Sequence, residues 1–173
     1  MFLKQEVLVT PDECLSLLHL AQGTYAIENN LITKDSSSFD YSSVFSFNKG
    51  EWYYNIVQRI YSTIDVELVA KNVKVKVIKC DSGNFLTKHA DNWNINLNRH
   101  YTSVISLNDS YQGGNLIVYE NDSKYSSLKS TTGNVGVFYA NKLHEVTKVN
   151  SGTRYTAITW LYHGDFNLTK SLL

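Results

Sequence analysis

The stretch FLTKHADNW, residues 85–93, sets a histidine and an aspartate two positions apart, His89 and Asp91, with Ala90 between them. On an extended strand residues i and i+2 leave the same face. An imidazole and a carboxylate at this spacing therefore project together, as two neighbouring ligands of one metal ion must. Such pairs also arise by chance on ordinary polar strands, so a metal reading needs a third ligand from elsewhere. The chain has five histidines, His19, His89, His100, His144 and His163. His19 falls on a predicted helix as a surface or core-edge residue. His100 and His163 stand in no pattern. His144 opens a strand-like run, HEVTKV, and is the candidate third ligand.

Two neutral imidazoles and one carboxylate on one face of an octahedron leave three positions open, the ligand set of non-haem Fe(II) oxygenases. Ten residues after His144 stands Arg154, at the start of another predicted strand; the turn VNSG is expected to fold that strand back beside the first. A buried guanidinium forks onto a carboxylate through two parallel bonds. An exposed arginine at a strand end is the ordinary alternative.

Other segments must position these residues. Thr10, Pro11, Asp12 and Glu13 carry the marks of a helix start, followed by Cys14, Leu17, Leu18 and Ala21 at helical spacing and Gly23 as the expected stop. A second helix is predicted over 51–63, with Trp52, Ile56, Ile60 and Tyr61 as its apolar stripe. Between them, the serine-rich 33–50 reads as a loop with a short strand. From residue 73 the period changes to two. VKVKVIK alternates valine with lysine, as a half-buried strand does, and further strand-like runs cover 101–107, 115–120, 135–139, 144–149 and 154–161. The sole proline is Pro11, so none interrupts these ladders. Many short strands without alternating helices predict an antiparallel sandwich or barrel.

The 173 residues suit one domain, and 43% hydrophobic residues suit an ordinary globule. Sixteen basic residues balance sixteen acidic ones, so no global field favours nucleic acid or anionic lipid. No apolar run reaches membrane-spanning length, and the opening MFLKQEVLVTPDE is too short in apolar residues for a secretory signal. The two cysteines, Cys14 and Cys80, form no metal or redox pair motif, and a reducing, cytoplasmic compartment is the default expectation.

Three stretches together, GNFLTKHAD, RHYTSVISLNDSYQGGNLIVY and GNVGVFYANKLHEVTKVNSGTRYTAITW, resemble the Fe(II)- and 2-oxoglutarate-dependent dioxygenases, within them the prolyl 4-hydroxylase-like branch. They run in family order over roughly residues 79 to 161. The resemblance implies a mainly β fold: a double-stranded β-helix, or jelly roll, of about 73–162, with helices from about 1–65 packed on one sheet, all within one oxygenase domain, 1–173. It implies that His89, Asp91 and His144 hold iron, that Arg154 binds the distal carboxylate of 2-oxoglutarate, and that Thr156, on the same strand face, assists. Gly113 and Gly114 match the family's tight turn, Trp160 an aromatic expected in packing, and Arg99 and Trp93 residues bordering the pocket, with solvent exposure as the ordinary alternative. The family often has a tyrosine where this chain has Cys80, expected here as a small buried residue.

The implied cofactors are Fe(II) and 2-oxoglutarate, with ascorbate as a candidate reductant and O2 as co-substrate. The implied reaction is hydroxylation of an unactivated C–H bond, with succinate and CO2 as co-products. Related halogenating enzymes lack the carboxylate ligand, so Asp91 favours hydroxylation. The nearest analogy makes the substrate a prolyl residue in a protein or peptide, received by loops 92–98, 121–134 and the serine-rich segment. No membrane partner is expected. The alternatives are the same chemistry on a free amino acid, a small metabolite or a nucleobase, or a cupin-like binding module without catalysis. Nucleobase chemistry is disfavoured, because related demethylases carry a second arginine where this chain has Trp160, and cupins have no call for Arg154.

Overall fold

In the computed structural model the described residues are 1–25, 41–45, 52–66, 73–92, 98–128 and 130–162. Four elements come first: β1 (Lys4–Val7), α1 (Pro11–Tyr25), β2 (Tyr41–Phe45) and α2 (Trp52–Ser62). The strands β3 (Val73–Asp81), β4 (Leu86–His89), β5 (Arg99–Ser106), β6 (Gln112–Gly113), β7 (Leu116–Asn121) and β8 (Lys124–Ser127) follow. The last are β9 (Asn134–Tyr139), β10 (His144–Val146), β11 (Val149–Ser151) and β12 (Thr153–Tyr162).

Helix α1 begins in a capping box. The Glu13 N–H donates to Thr10 Oγ1 at 3.2 Å, and the Thr10 N–H donates to Glu13 Oε2 at 2.9 Å. Arg59 of α2 donates to the same Glu13 oxygen at 2.7 Å and to the Leu8 carbonyl at 3.0 Å, tying the two helices together. The helix runs past Gly23 to Tyr25; a glycine in a last turn costs only about 1 kcal/mol and is no obligatory stop. In α2 the buried residues are Tyr53, Tyr54, Ile56, Val57, Ile60 and Tyr61, whereas Trp52 is exposed. Ile56, Ile60 and Tyr61 are thus buried as the pattern predicts, and in the first turn Tyr53 and Tyr54 take the place of Trp52.

Two sheets stack. The larger has the order β1-β9-β5-β12-β3-β2, and the smaller β4-β10-β7-β8. All the pairings are antiparallel. This is the predicted jelly roll with its helices on one sheet. A row of small and branched side chains runs across the larger sheet, Val77 opposite Ala157, Ala157 opposite Ile105, Ile105 opposite Val135. That face buries against Cys14 and Leu17 of α1 and the stripe of α2. One residue out of phase, Val104, Ile158 and Phe138 turn the other way and pack on Leu116, Val118 and Val146 of the smaller sheet.

Two details of the predicted strands change. HEVTKV is two strands: β10 belongs to the smaller sheet, and β11 pairs with β6 in a separate ladder. Between them the backbone detours to serve a neighbouring turn, with the Thr147 N–H donating to Asn115 O and Lys148 O accepting from the Gly114 N–H. Nor does VNSG fold β12 back beside β10. It carries the chain across to the larger sheet, where β12 bonds to β3 and β5. The strands of His144 and Arg154 thus lie in different sheets. Among the described residues no helix is long and apolar enough to cross a membrane.

Ile60 is fully buried between α2 and the sheet. The Ile60→Ala variant is expected to lose about 2–5 kcal/mol of unfolding free energy in urea. A loss below about 1 kcal/mol would mean that α2 does not close this face.

Candidate functional site

His89 ends β4 and His144 begins β10, directly opposite each other in the ladder. Opposed residues of an antiparallel pair share a face, and the two rings lie 4.3 Å apart between centroids. Each ring is fixed by its own backbone: His89 Nδ1 lies 2.8 Å from the Thr87 carbonyl and His144 Nδ1 2.9 Å from the Lys142 carbonyl. A carbonyl only accepts, so each Nδ1 carries the proton and each Nε2 presents its lone pair.

Asp91 is not on the strand. β4 stops at His89, and Asp91 sits in the following turn, its N–H donating to Ala140 O at 2.8 Å. Its place beside His89 comes from that turn rather than from the period of two, because the chain must leave the smaller sheet to bring the carboxylate inward. The Asp91 carboxylate lies 3.6 Å from Nε2 of both His89 and His144. One ligand atom from each of the three residues lies within 4.8 Å of the others. With ligand bonds of about 2.1 Å, this spacing suits one ion after a small contraction.

The opposite sheet grips the carboxylate. Thr102 Oγ1 on β5 donates to Asp91 Oδ2 at 2.6 Å, and Trp160 Nε1 on β12 donates to the same oxygen at 3.0 Å. These two residues face each other in register. With Oδ2 so occupied, Oδ1 is the better metal ligand. Burial by itself would raise the Asp91 carboxyl; the His89 and His144 rings beside it and the hydrogen bonds from Thr102 and Trp160 reverse this and hold it well below the usual carboxylate range. Burial lowers His144 and keeps it neutral. Burial opposes protonation of His89 too, but the Asp91 carboxylate and the Thr87 carbonyl outweigh it and raise its pKa.

Arg154 is 4% exposed. Its Nη1 donates to Thr156 Oγ1 at 3.3 Å, and its Nε is, among the described residues, the one buried side-chain nitrogen or oxygen without a partner. Burial lowers its pKa, yet an arginine stays charged in proteins. An orphaned buried donor costs about 1–3 kcal/mol, a cost that an anion against the guanidinium removes. Gly114, at φ 61°, leaves the room: a Cβ there would lie 2.9 Å from Arg154 Cδ. Gly113 serves the same turn, at φ 72°.

The three candidate ligands, the two donors to Asp91 and Arg154 share one cavity of about 210 Å³ between the sheets. His89, Asp91, His144, Thr102 and Trp160 line it together with Arg154, Lys76 and apolar side chains such as Ile78, Val104, Leu116 and Ile158. Arg99 is half-buried: it stacks 4.1 Å over the Trp160 ring and donates to the Asp91 carbonyl at 3.2 Å and to Tyr162 Oη at 3.0 Å. Cys80 is fully buried opposite Arg154. His19 is exposed and His100 lies among Tyr101 and Tyr139. His163, Trp93 and most of the serine-rich segment lie outside the described residues. Of loop 121–134, residues 124–127 are strand β8.

The sequence model of the 2OG-Fe(II) oxygenase superfamily matches residues 75–162, which hold all of these groups. The chain belongs to the 2OG-Fe(II) oxygenase superfamily. Fe(II) and 2-oxoglutarate are the cofactors of that family, and the two imidazoles, the carboxylate and the orphaned guanidinium fit them. Curated relatives include PKHD-type hydroxylases of Synechococcus sp. (30% identical over 97 residues, 54% of this chain), Acinetobacter baumannii (33% over 60 residues, 35%) and Shewanella sp. (37% over 60 residues, 35%). The match spans 44% of the Synechococcus protein and 26% of the other two. A prolyl-4-hydroxylase of Pseudomonas putida superposes with a TM-score of 0.72 at 17% identity, covering 93% of this chain and 92% of that one. A viral collagen prolyl hydroxylase from Paramecium Bursaria Chlorella virus-1, solved with 2OG, gives 0.64 at 16% identity, covering 92% and 94%.

Three contributors escaped the sequence reading. Trp160, expected in packing, is a hydrogen-bond donor to Asp91; Thr102 is the second donor; Lys76, expected on the polar face of a half-buried strand, lines the cavity. No local signal marks the first two, since only strand pairing places them. Trp160→Phe keeps an aromatic ring under Arg99 and removes the donor. It is expected to weaken Mn(II) binding by about 10–100-fold in a titration followed by electron paramagnetic resonance; an unchanged affinity would deny Trp160 this role.

Proposed function

We propose that this protein is an Fe(II)- and 2-oxoglutarate-dependent dioxygenase that hydroxylates a prolyl residue in a protein or peptide. The reaction is R–H + O2 + 2-oxoglutarate → R–OH + succinate + CO2. One oxygen atom enters the alcohol and the other enters succinate, and the two electrons lost by the keto acid on decarboxylation join two from the C–H bond to reduce O2. The observation that carries this reading is the pairing of a His-Asp-His cluster with a buried, incompletely satisfied arginine across a single cavity. The prolyl substrate is supported by the likeness to prolyl hydroxylases. One of these, from Trichoplax adhaerens, was solved with a hypoxia inducible factor peptide fragment; it has a TM-score of 0.57 at 18% identity.

His89, Asp91 and His144 would hold iron, which when bound supplies the redox chemistry that activates O2. Two neutral Nε2 atoms and one carboxylate oxygen would supply three ligands and leave further positions for the co-substrate. Arg154 takes the distal carboxylate of 2-oxoglutarate, and Thr156 holds the guanidinium in place. The apolar walls limit water around the reacting carbon. Asp91 stays ionised, so the site keeps its full ligand charge. A cytoplasmic location fits the two free cysteines, both buried.

Purified protein with Fe(II), 2-oxoglutarate and O2 is expected to release succinate and to add one oxygen atom to proline-containing peptides, read by mass spectrometry. Asp91→Ala should abolish both. Proline peptides left unmodified while succinate is released would remove the prolyl substrate; no succinate from the wild type would remove the dioxygenase reading.

Metal binding should also weaken on acidification. A proton on Nε2 competes with the metal, and the raised pKa of His89 makes that competition begin at a higher pH than for a free imidazole. Below that pKa the Mn(II) dissociation constant is expected to rise about tenfold per pH unit. A flat profile from pH 7.5 to 5.5 would contradict His89 as a ligand.

A further inference from the structure

We propose that Arg99 is a positioning residue for the metal site: its guanidinium latches the turn that bears Asp91 to the indole that holds the Asp91 carboxylate. The inference rests on the metal reading of the His-Asp-His cluster and adds what fixes the one ligand outside any strand.

Arg99 owes its place to an irregularity of the larger sheet. β5 and β12 pair residue for residue from Ser106 opposite Thr156 to Tyr101 opposite Leu161, and the next pair is Arg99 opposite Tyr162. There β5 holds one residue more than its partner, His100, which makes a β-bulge. In an unbroken ladder Tyr162 would face His100, and Arg99 would share the side of Tyr101, which packs toward Tyr61 of α2. The bulge turns Arg99 to the side of Trp160 instead. Bulges beside active sites re-aim side chains in this way.

From that position Arg99 reaches two strands and a turn. Its Cζ lies 4.1 Å over the Trp160 ring, its Nη1 donates to the Asp91 carbonyl at 3.2 Å, and its Nε donates to Tyr162 Oη at 3.0 Å. The backbone of Asp91 is therefore held at both its C=O and its N–H. The bulge serves the N–H as well: the Asp91 and Asn92 N–H groups donate to the Ala140 carbonyl, and the Ala140 N–H donates to the His100 carbonyl. One irregularity of β5 thus anchors the turn by two routes, one through backbone and one through the guanidinium.

Only the guanidinium also meets the donor to the carboxylate. Trp160 Nε1 bonds Asp91 Oδ2, and the indole would lose its stack under Arg99 on tilting away. A guanidinium is planar and rigid, so the stack and the two hydrogen bonds fix one another. A lysine ammonium has no plane to stack and acts from one point. Arg99 offers a metal no lone pair; it acts through Asp91 and Trp160.

The test uses the full chain, ¹⁵N-labelled and metal-free, for hydrogen exchange, and the same chain titrated with Mn(II) by electron paramagnetic resonance. In Arg99→Met the Asp91 amide and the Trp160 indole N–H are expected to exchange at least about fivefold faster, with the Val137 and Ala157 amides unchanged. The Mn(II) dissociation constant should rise about tenfold. Arg99→Lys should share both losses. In a Trp160→Phe background Arg99→Met should weaken Mn(II) binding about threefold or less, because the indole donor is already gone. Wild-type affinity in Arg99→Met, as a residue that only touches substrate would give, overturns the proposal. So does full rescue by lysine, or an undiminished tenfold loss in the Trp160→Phe background. Faster exchange throughout, or failure of both Arg99 variants to fold, would assign Arg99 to the fold and overturn it too. Failure of the metal reading looks different: the wild type binds no Mn(II), and exchange in the metal-free chain alone then decides whether Arg99 latches the turn.

Discussion

The site depends on how Asp91 is held. Its carboxylate lies outside any strand, nine-tenths buried, between two sheets that each have a claim on it. The smaller sheet supplies His89 and His144; the larger supplies Thr102 and Trp160, both on the same oxygen. A buried carboxylate without partners would be expensive and would take up a proton. Here the donors reverse that tendency and orient the group, leaving Oδ1 clear of those two donors and 3.6 Å from His89 Nε2. Removing either sheet's contribution would leave a charge in the interior rather than merely a weaker ligand.

This constraint explains the two-sided character of the larger sheet. Its helix-facing side is mainly apolar, from Val77 through Ala157 and Ile105 to Val135, and its buried Ser103 and Thr159 are satisfied by each other and by the Tyr61 hydroxyl of α2. Its cavity side mixes apolar Ile158 and Val104 with Thr102, Trp160, Arg154 and Lys76. Rigid packing on one side is what fixes the positions of the polar groups on the other. A shift of β12 by one residue would exchange the two sets and bury Arg154 and Trp160 against the helices.

Much of this was legible locally. The capping residues Thr10 and Glu13, the stripe of α2 apart from Trp52, and the strand periodicity from Val73 onward follow from short-range rules of backbone and burial. Of the residues that the sequence singles out, His89, Asp91, His144 and Arg154 line one cavity, and Thr156 stands behind it as a hydrogen-bond partner of Arg154. The reasons were partly different. Asp91 was placed beside His89 on a shared strand, but a turn does it; the strands of His144 and Arg154 were expected side by side, but they face each other across the interior. The alternation of lysine and valine reports two unlike faces of β3 but does not show that Lys76 lines a cavity.

By itself the sequence determined the local elements, the chemical types available to a site and their order along the chain. These depend on neighbours within a few residues and on the choice of side chains. The tertiary structure alone decided that Thr102 and Trp160 converge on Asp91, that Arg154 is buried with an orphaned nitrogen, and that Lys76 lines the cavity. The physical reason is that a strand's period of two is indifferent to which side is buried. Only the pairing order of the sheets, and the helices that cover one face and leave the other to enclose a cavity, break that symmetry.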